Sequence, residues 1–204
     1  MALAEIRQFF DGFAPLWDEH FGTERRQRLF RIFAHYLAFL PGPILDLGCG
    51  TGILLDVFER ELQSNPKQVI ELDLSFAMLK RIYLQARTRS FQVLRIQADG
   101  HCLPLTAQTI NSVVAFQVFP HFVDLERVTQ EILRILKPGG YFCVLHLDDH
   151  NILNDIHRSL HPLVRNHRMM AATRLEKFFV HRGFINLQTI EQKDLYLVVV
   201  KKPS

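Results

Sequence analysis

Apolar residues recur along the first forty positions at the spacing of a helix face. Phe9, Phe10, Phe13, Leu16 and Trp17 form one stripe; Leu29, Phe30, Phe33, Leu37 and Leu40 form a second. Residues 3–40 therefore read as helical, with a break near Pro15, and Pro41-Gly42-Pro43 ends the run. The period then changes. Positions 44–47, 69–72, 91–97, 112–118 and 141–147 are short apolar runs of strand length. Helical stretches at 53–62, 76–86 and 125–136 lie between them, with turns at Asn65-Pro66 and at Lys137-Pro138-Gly139-Gly140. Strands alternating with helices predict a parallel sheet covered on both faces. The end differs. A helix around 174–182 precedes strands at 185–190 and 194–201, joined only by Glu191-Gln192-Lys193. So short a connection demands an antiparallel hairpin. The pattern as a whole predicts an α/β chain with a seven-stranded, mostly parallel sheet and an antiparallel last strand.

Composition narrows the class. A chain of 204 residues, 48% hydrophobic and 22% charged, is sized and balanced for one globular domain, which excludes a disordered or fibrous chain. No apolar stretch approaches the roughly 20 residues of a membrane helix, and the charged N-terminal stretch is not expected to be a secretory signal. Twenty-four basic and 21 acidic residues leave a net charge of +3, too mild for a nucleic-acid footprint. The densest basic run, Arg25, Arg26 and Arg28, reads as a solvated helix face. Cys49, Cys102 and Cys143 are far apart and form no CxxC pair, which points to free thiols in a cytoplasmic chain.

The sharpest local feature is Ile44-Leu45-Asp46-Leu47-Gly48-Cys49-Gly50-Thr51-Gly52, where a strand gives way to a helix. Its glycines permit a tight turn and close approach of a ligand, and a helix start offers free N–H groups. Asp46 lies at the carboxyl end of the strand, where ligands bind in open α/β sheets. Ile53 stands where a dinucleotide fingerprint has its third glycine. A pyrophosphate wants N–H donors and no nearby carboxylate. Asp46 repels such a group and suits a positive ammonium, so the loop favours a zwitterionic ligand carrying a nucleoside over NAD. Asp73 ends the second strand, in the place of a carboxylate that binds ribose hydroxyls. Ser75 is the better helix cap, which leaves Asp73 free for a ligand. Glu71 is a weaker candidate, on the same strand face but deeper. Asp99 ends the third strand, either as acceptor for the exocyclic amine of adenine or as a turn residue before Gly100.

Together these residues resemble a known family. The run at 44–52, Leu72-Asp73-Leu74-Ser75 with Met78-Leu79, Gln97-Ala98-Asp99 with Leu103-Pro104-Leu105, 113–118 with His121-Phe122, and Glu131-Ile132-Leu133-Arg134 with Leu136-Lys137-Pro138-Gly139-Gly140 resemble, in this order, five motifs of class I S-adenosylmethionine-dependent methyltransferases. The likeness is to the small bacterial branch related to ubiquinone and menaquinone methyltransferases, the methyltransferase type 11-like domain. Phe9-Phe10-Asp11 through Ala14, with Trp17-Asp18, resembles that family's N-terminal lid. The resemblance implies a Rossmann-like methyltransferase fold, a three-layer αβα sandwich, with S-adenosyl-L-methionine as cofactor and S-adenosyl-L-homocysteine as product. It implies that Asp46 and the backbone around Gly48, Cys49 and Gly50 hold the methionine part. Asp73 would hold the ribose, Leu74 and Met78 would lie against the adenine, Ala98 and Asp99 would contact it, and Gln117 would lie near the sulfonium. Phe13 and Trp17 close over the site or pack as ordinary helix residues. Glu71 stands where the family commonly has glycine and Asn111 where it often has aspartate; neither is expected to touch the cofactor.

Methyl transfer from a sulfonium is an in-line displacement in which the protein chiefly positions and desolvates the reactants. The stretch 116–120 lacks the Asp/Asn-Pro-Pro-Tyr of amino-methylating DNA enzymes, so a small-molecule acceptor is expected, with quinone precursors suggested by resemblance alone. His146, His150, His157, His161 and His167 crowd the segment after the fifth strand. His157 and His161, four apart, would share a helix face at a spacing that can bind metal, with Asp148 and Asp149 nearby, although no metal is assigned. As surface or cap residues the histidines need no role. As bases they suit removal of a proton from a hydroxyl or amine. His157 and His121 are the candidate catalytic residues; Trp17, His146, His157 and His161 are the candidate substrate contacts. The expected organisation is one domain, 1–204: a helical lid (1–40), a cofactor core (44–147), a helical cap that meets substrate (148–173), and a C-terminal helix and hairpin (174–204). The chain is expected to act as a monomer or homodimer without nucleic acid or a membrane span. A cofactor-binding sensor or partner subunit without transferase activity, and a nucleotide-dependent oxidoreductase, are the alternatives.

Overall fold

The computed structural model describes residues 3–84 and 88–204. Helix α1 (Leu3–Phe13) runs into a 3₁₀ turn over Ala14–His20, and α2 (Thr23–Ile32) into a π turn over Phe33–Leu37. The expected helical run at 3–40 is therefore two helices with two irregular turns. Pro15 cannot supply an N–H to continue α1, and Gly22 stands just before α2. Next come β1 (Ile44–Leu47), α3 (Leu54–Glu61), β2 (Gln68–Asp73), α4 (Phe76–Leu84), β3 (Gln92–Gln97), β4 (Ile110–Phe116) and α5 (Leu125–Ile135). The last part holds β5 (Leu136–His146), α6 (His150–Ser159), α7 (Ala172–Val180), β6 (Ile185–Gln192) and β7 (Leu195–Lys201). The expected end of α4 at residue 86 lies outside the described residues.

The seven strands form one sheet in the order β3-β2-β1-β4-β5-β7-β6. β1 pairs in parallel with both β2 and β4, whereas β7 is antiparallel to β5 and to β6. The strand order thus reverses between β1 and β4, and a crevice opens there at the carboxyl ends of the strands. The central strands are apolar on both faces, as strands between two helix layers must be. Val113, Ala115, Phe142, Val144, Tyr196 and Val198 face one layer with α5 and α7; Val114, Phe116, Cys143, Leu145, Leu197 and Val199 face the other with α2, α3 and α4. This is the expected Rossmann-like αβα sandwich.

The expected turn at 137–140 is instead the start of β5. Gly139 adopts φ +76° and donates its N–H to the carbonyls of Lys202 and Pro203, so the chain end pairs with this stretch.

One row across the sheet is not apolar. Asp46 stands in register with Val114 on one side and Glu71 on the other, and Glu71 with Arg95. Asp46 and Glu71 are 1% and 0% exposed, and no N–H or O–H donor among the described residues reaches their carboxylate oxygens. Burial drives both upward. The Asp46 carboxyl is held well above the carboxylate range by burial, then by its neighbours Glu71 and Asp73. Glu71 is pushed up to about 8 by burial, against the opposing pull of the Cys49 thiol and of Arg95 and Arg89. The folded chain thus keeps a proton on Glu71 that the unfolded chain gives up near 4.5. This contribution to stability is full below that pH and is lost as pH rises toward about 8. Glu71→Gln is therefore expected to flatten the fall in melting temperature of the ligand-free chain between pH 5 and 8. Parallel melting curves for the variant and the parent would contradict the shift.

Candidate functional site

The carboxyl ends of β1, β2, β3 and β4 carry the sequence-predicted cofactor residues. The loop after β1 turns on Gly48, Gly50 and Gly52, at φ +73°, +56° and +81°, a region that L side chains rarely adopt. A Cβ at Gly48 would run into the Val118 side chain, and one at Gly50 would lie 3.3 Å from Trp17 Nε1. The loop is tied to β2: the N–H groups of Gly48 and Cys49 both donate to the Leu72 carbonyl, at 2.7 and 3.1 Å. The Gly50 N–H donates to Asp73 Oδ2 at 2.8 Å. These three donors, expected to serve a ligand, are committed within the protein. What the loop offers is its close-approach surface and the buried carboxylates below it.

Asp73 is correspondingly less free than its sequence position suggests. Its other oxygen accepts the Ser75 N–H at 2.8 Å, while Ser75 Oγ caps α4 by accepting the Met78 N–H at 3.1 Å. The capping role falls to Ser75 as expected. Each Asp73 oxygen accepts one backbone N–H and retains a second lone pair. Burial raises its carboxyl above the usual range, opposed by the N–H bonds from Ser75 and Gly50. Leu74 and Ala98 are half-buried beside it, and the Ala98 N–H donates to the Asp73 carbonyl. Met78 is buried in the first turn of α4. Asp99 behaves as a turn residue: Oδ1 accepts the His101 backbone N–H at 3.0 Å and meets His101 Nδ1 at 2.6 Å. Glu71, expected to stay clear of the cofactor contacts, is instead the neighbour of Asp46 and lies 3.3 Å from where a Gly52 Cβ would sit. The parallel register places the two acids side by side. The signal was present in the sequence, because Asp46 and Glu71 occupy matching places in adjacent strands.

The N-terminal segment spans this crevice. Asp11 Oδ1 accepts from Ser75 Oγ at 2.5 Å and from the Ala77 N–H at 3.3 Å. Asp18 accepts from Thr51 Oγ1 at 2.5 Å and pairs with Arg81 at 3.3 Å. Between these two anchors Trp17 reaches Gly50, and Phe10 packs edge-on against both Trp17 and His121. Phe13 stacks on Phe9, which lies beside His161 with ring centroids 5.2 Å apart.

Beyond the loop, four histidines meet. Gln117, just past β4, has φ +57° and donates its backbone N–H to the Leu145 carbonyl. Its side-chain oxygen lies 3.3 Å from His146 Nδ1 at the end of β5. His121, in the 3₁₀ turn Phe119–His121, is 5.1 Å from the His157 ring and 5.0 Å from the His167 ring. Burial lowers all four: His146 down to about 3 and His121 well below its ordinary value, both aided by neighbouring histidines, His167 likewise aided by His157, and His157 against the pull of its bond to the His167 carbonyl. At neutral pH they are uncharged, the state in which an imidazole accepts a proton. Among the described residues no three His, Cys, Asp or Glu side chains are arranged to hold a metal ion.

His157 and His161 do not share a helix face, because α6 ends at Ser159. His161 lies past that end, where its Nδ1 accepts the Leu163 N–H. His150 instead pairs with Glu191 at 2.5 Å, Asp148 pairs with Arg25 at 2.8 Å, and Asp149 caps α6. His167 completes the cluster and was not singled out by sequence. Asn154 brings it there by donating to the Met169 carbonyl and accepting the Met169 N–H, which folds the stretch after α6 back onto the helix.

A buried pair of acids that no N–H or O–H of the described residues reaches, under a close-approach glycine loop, fits a ligand with a positive ammonium, and Asp73 fits a sugar hydroxyl. Comparison with known proteins bears on the family and its cofactor. A family model described as a methyltransferase domain matches residues 45–144. A ubiquinone/menaquinone biosynthesis C-methyltransferase of Syntrophotalea carbinolica is 32% identical over 147 residues, covering 69% of this chain and 60% of that protein. The chain spans about 60% of the length of the curated relatives it matches. A Haloferax volcanii chain solved in complex with the Trm112 methyltransferase activator superposes with a TM-score of 0.76 at 18% identity, covering 96% and 98% of the two chains. The [4+2]-cyclase SpnF gives the same TM-score at 18% identity, covering 97% and 95%. Glycine loop, strand order and relatives converge: the chain belongs to the class I methyltransferases that use S-adenosyl-L-methionine as their cofactor.

Proposed function

We propose that the protein transfers a methyl group to a small-molecule acceptor. The observation that carries this reading is two built half-sites that meet where Gly48 lies against Val118: the Asp46–Glu71 pair, whose oxygens no N–H or O–H of the described residues reaches, under the glycine loop, and the uncharged histidine cluster around Gln117. The cofactor, when bound, supplies an electrophilic methyl group that the acceptor takes by in-line displacement. Asp46, with the loop at Gly48, Cys49 and Gly50, holds the ammonium end. Asp73 holds the ribose; Leu74, Met78, Ala98 and Asp99 border the adenine. Gln117 stands at the boundary, its side chain joined to His146, and so marks the sulfonium end. Residues 3–40 form the lid over both halves, and residues 148–173 the acceptor wall with Trp17, His146, His157 and His161. His157 accepts a proton from the acceptor and His121 assists. Positioning and exclusion of water account for the remainder of the rate.

The relatives' names favour a quinone precursor as acceptor, with a malonyl group on an acyl-carrier protein as the other acceptor that they print. A second reading follows from SpnF, since the same fold there carries a name other than methyltransferase. In that reading the cofactor is bound and the methyl group is not transferred.

Calorimetric titration separates these ideas. S-adenosylmethionine and S-adenosylhomocysteine are expected to bind and NADH is not; binding of NADH alone would overturn the loop assignment. Asp73→Ala is expected to weaken S-adenosylhomocysteine at least tenfold, since a charge-assisted hydrogen bond contributes about 1.5–3 kcal/mol. An unchanged dissociation constant would remove Asp73 from the ribose site. His157→Ala is expected to leave S-adenosylhomocysteine affinity intact and to slow methylation on a panel of quinol, phenol and amine acceptors roughly 10²–10⁴-fold, the range of general acid–base catalysis. Full turnover in that variant would exclude His157 as the base. Binding without turnover on any acceptor by the parent chain would favour the second reading.

A further inference from the structure

Three of the histidines, His121, His157 and His167, are joined by hydrogen bonds that leave little freedom in where their protons sit. His157 Nδ1 lies 3.1 Å from the backbone carbonyl of His167. A carbonyl only accepts, so the His157 proton is on Nδ1 and its Nε2 is a lone pair. His121 Nδ1 and His167 Nδ1 face each other at 2.7 Å. Two lone pairs repel at that distance and two protons clash, so the contact holds one proton. Its owner follows from burial. His167 is 6% exposed, and no partner among the described residues reaches its Nε2. If His167 accepted at Nδ1, its own proton would move to Nε2 and leave an N–H buried without an acceptor, the rarer and more costly kind of orphan. His167 therefore donates from Nδ1. His121 accepts at Nδ1 and carries its own proton on Nε2.

We infer that His167 is a positioning residue that sets His121 and His157 in opposite tautomers, so that His157 Nε2 presents a lone pair and His121 Nε2 an N–H toward one acceptor group. His167 does this with both of its ends, the carbonyl fixing His157 and the ring fixing His121. The inference rests on the reading of His157 as the base, and it deepens that reading. The acceptor atom must release a proton to His157 and keep a lone pair for the His121 N–H. A hydroxyl on the acceptor meets both conditions and keeps its other lone pair for the methyl carbon; an amine, whose single lone pair must attack that carbon, and a bare thioether, with no proton to give, do not. The uncharged state of the cluster is consistent with this arrangement, and the charge of Arg168 pushes His157 the same way.

The test needs no acceptor. Protein carrying ¹⁵N-labelled histidine, alone and with S-adenosylhomocysteine at pH 7, is expected to show His157 and His167 as Nδ1–H tautomers and His121 as the Nε2–H tautomer. His167→Phe keeps the backbone carbonyl and removes the ring nitrogens. His157 is then expected to stay Nδ1–H while His121 loses its single-tautomer signature. His167→Asn, whose amide N–H takes the place of the Nδ1–H, is expected to restore the His121 signature. A His121 Nδ1–H tautomer in the parent chain, or an unchanged His121 spectrum in His167→Phe, would overturn the inference. The parent spectrum alone decides it if the variants do not fold. If the tautomers are as stated and His157→Ala keeps full turnover, the tautomer assignment stands and the base assignment falls.

Discussion

Two carboxylates buried side by side set the terms for the rest of this molecule. Asp46 and Glu71 are brought together by the parallel register of β1 and β2, which the apolar residues around them enforce. A one-residue slip would turn every side chain of the strand to the other face. Their burial has a cost that only a proton or a cation relieves. The glycine loop, fastened to Leu72 and Asp73, holds the backbone just above them. The same bonds use up the N–H groups of Gly48, Cys49 and Gly50, which leaves the buried acid pair, able to exchange its proton for a cation, as the polar feature beneath the loop.

The second half of the site is built on different physics. Charge is absent there, and geometry is fixed by hydrogen bonds between neutral groups. The two halves meet at Gln117, whose left-handed backbone conformation ends β4 and turns its side chain toward His146. Asp11 and Asp18 fasten the N-terminal segment to α4 and to Thr51, and its aromatic residues reach across to His121 and His161. One cover thus touches both environments.

The alternation of strands and helices was legible in the sequence because strands covered on both faces read as continuous apolar runs, as Val113, Val114, Ala115 and Phe116 do. The hairpin was legible from its short connection. The N-terminal irregularity was not, because 3₁₀ and π turns keep an apolar stripe close to helical spacing while changing the hydrogen bonds. Asp46 and Asp73 were visible from their places at strand ends. Glu71 was seen but set aside, since its importance lies in a register that one strand cannot display. His157 and His121 stood out by type, yet His167 lies 46 residues from His121, and its place depends on Asn154 folding a loop back on α6. Spacing misled at His161, because the helix stops before the second member of the pair.

Glu191 gives the histidine-bearing segment a particular architecture. One of its oxygens accepts from the His150 backbone N–H at the start of α6, and the other from Ala172 at the start of α7. Everything between those points is a loop of chain clipped at both ends to one side chain on β6, while the cofactor residues lie on the opposite half of the sheet. The segment is thus an exchangeable cassette. The shape of the chain between the two attachment points is set apart from the strand geometry that fixes the loop after β1. In the proposed reaction, the segment that would meet the acceptor is thereby anchored apart from the strands that would hold the methyl donor.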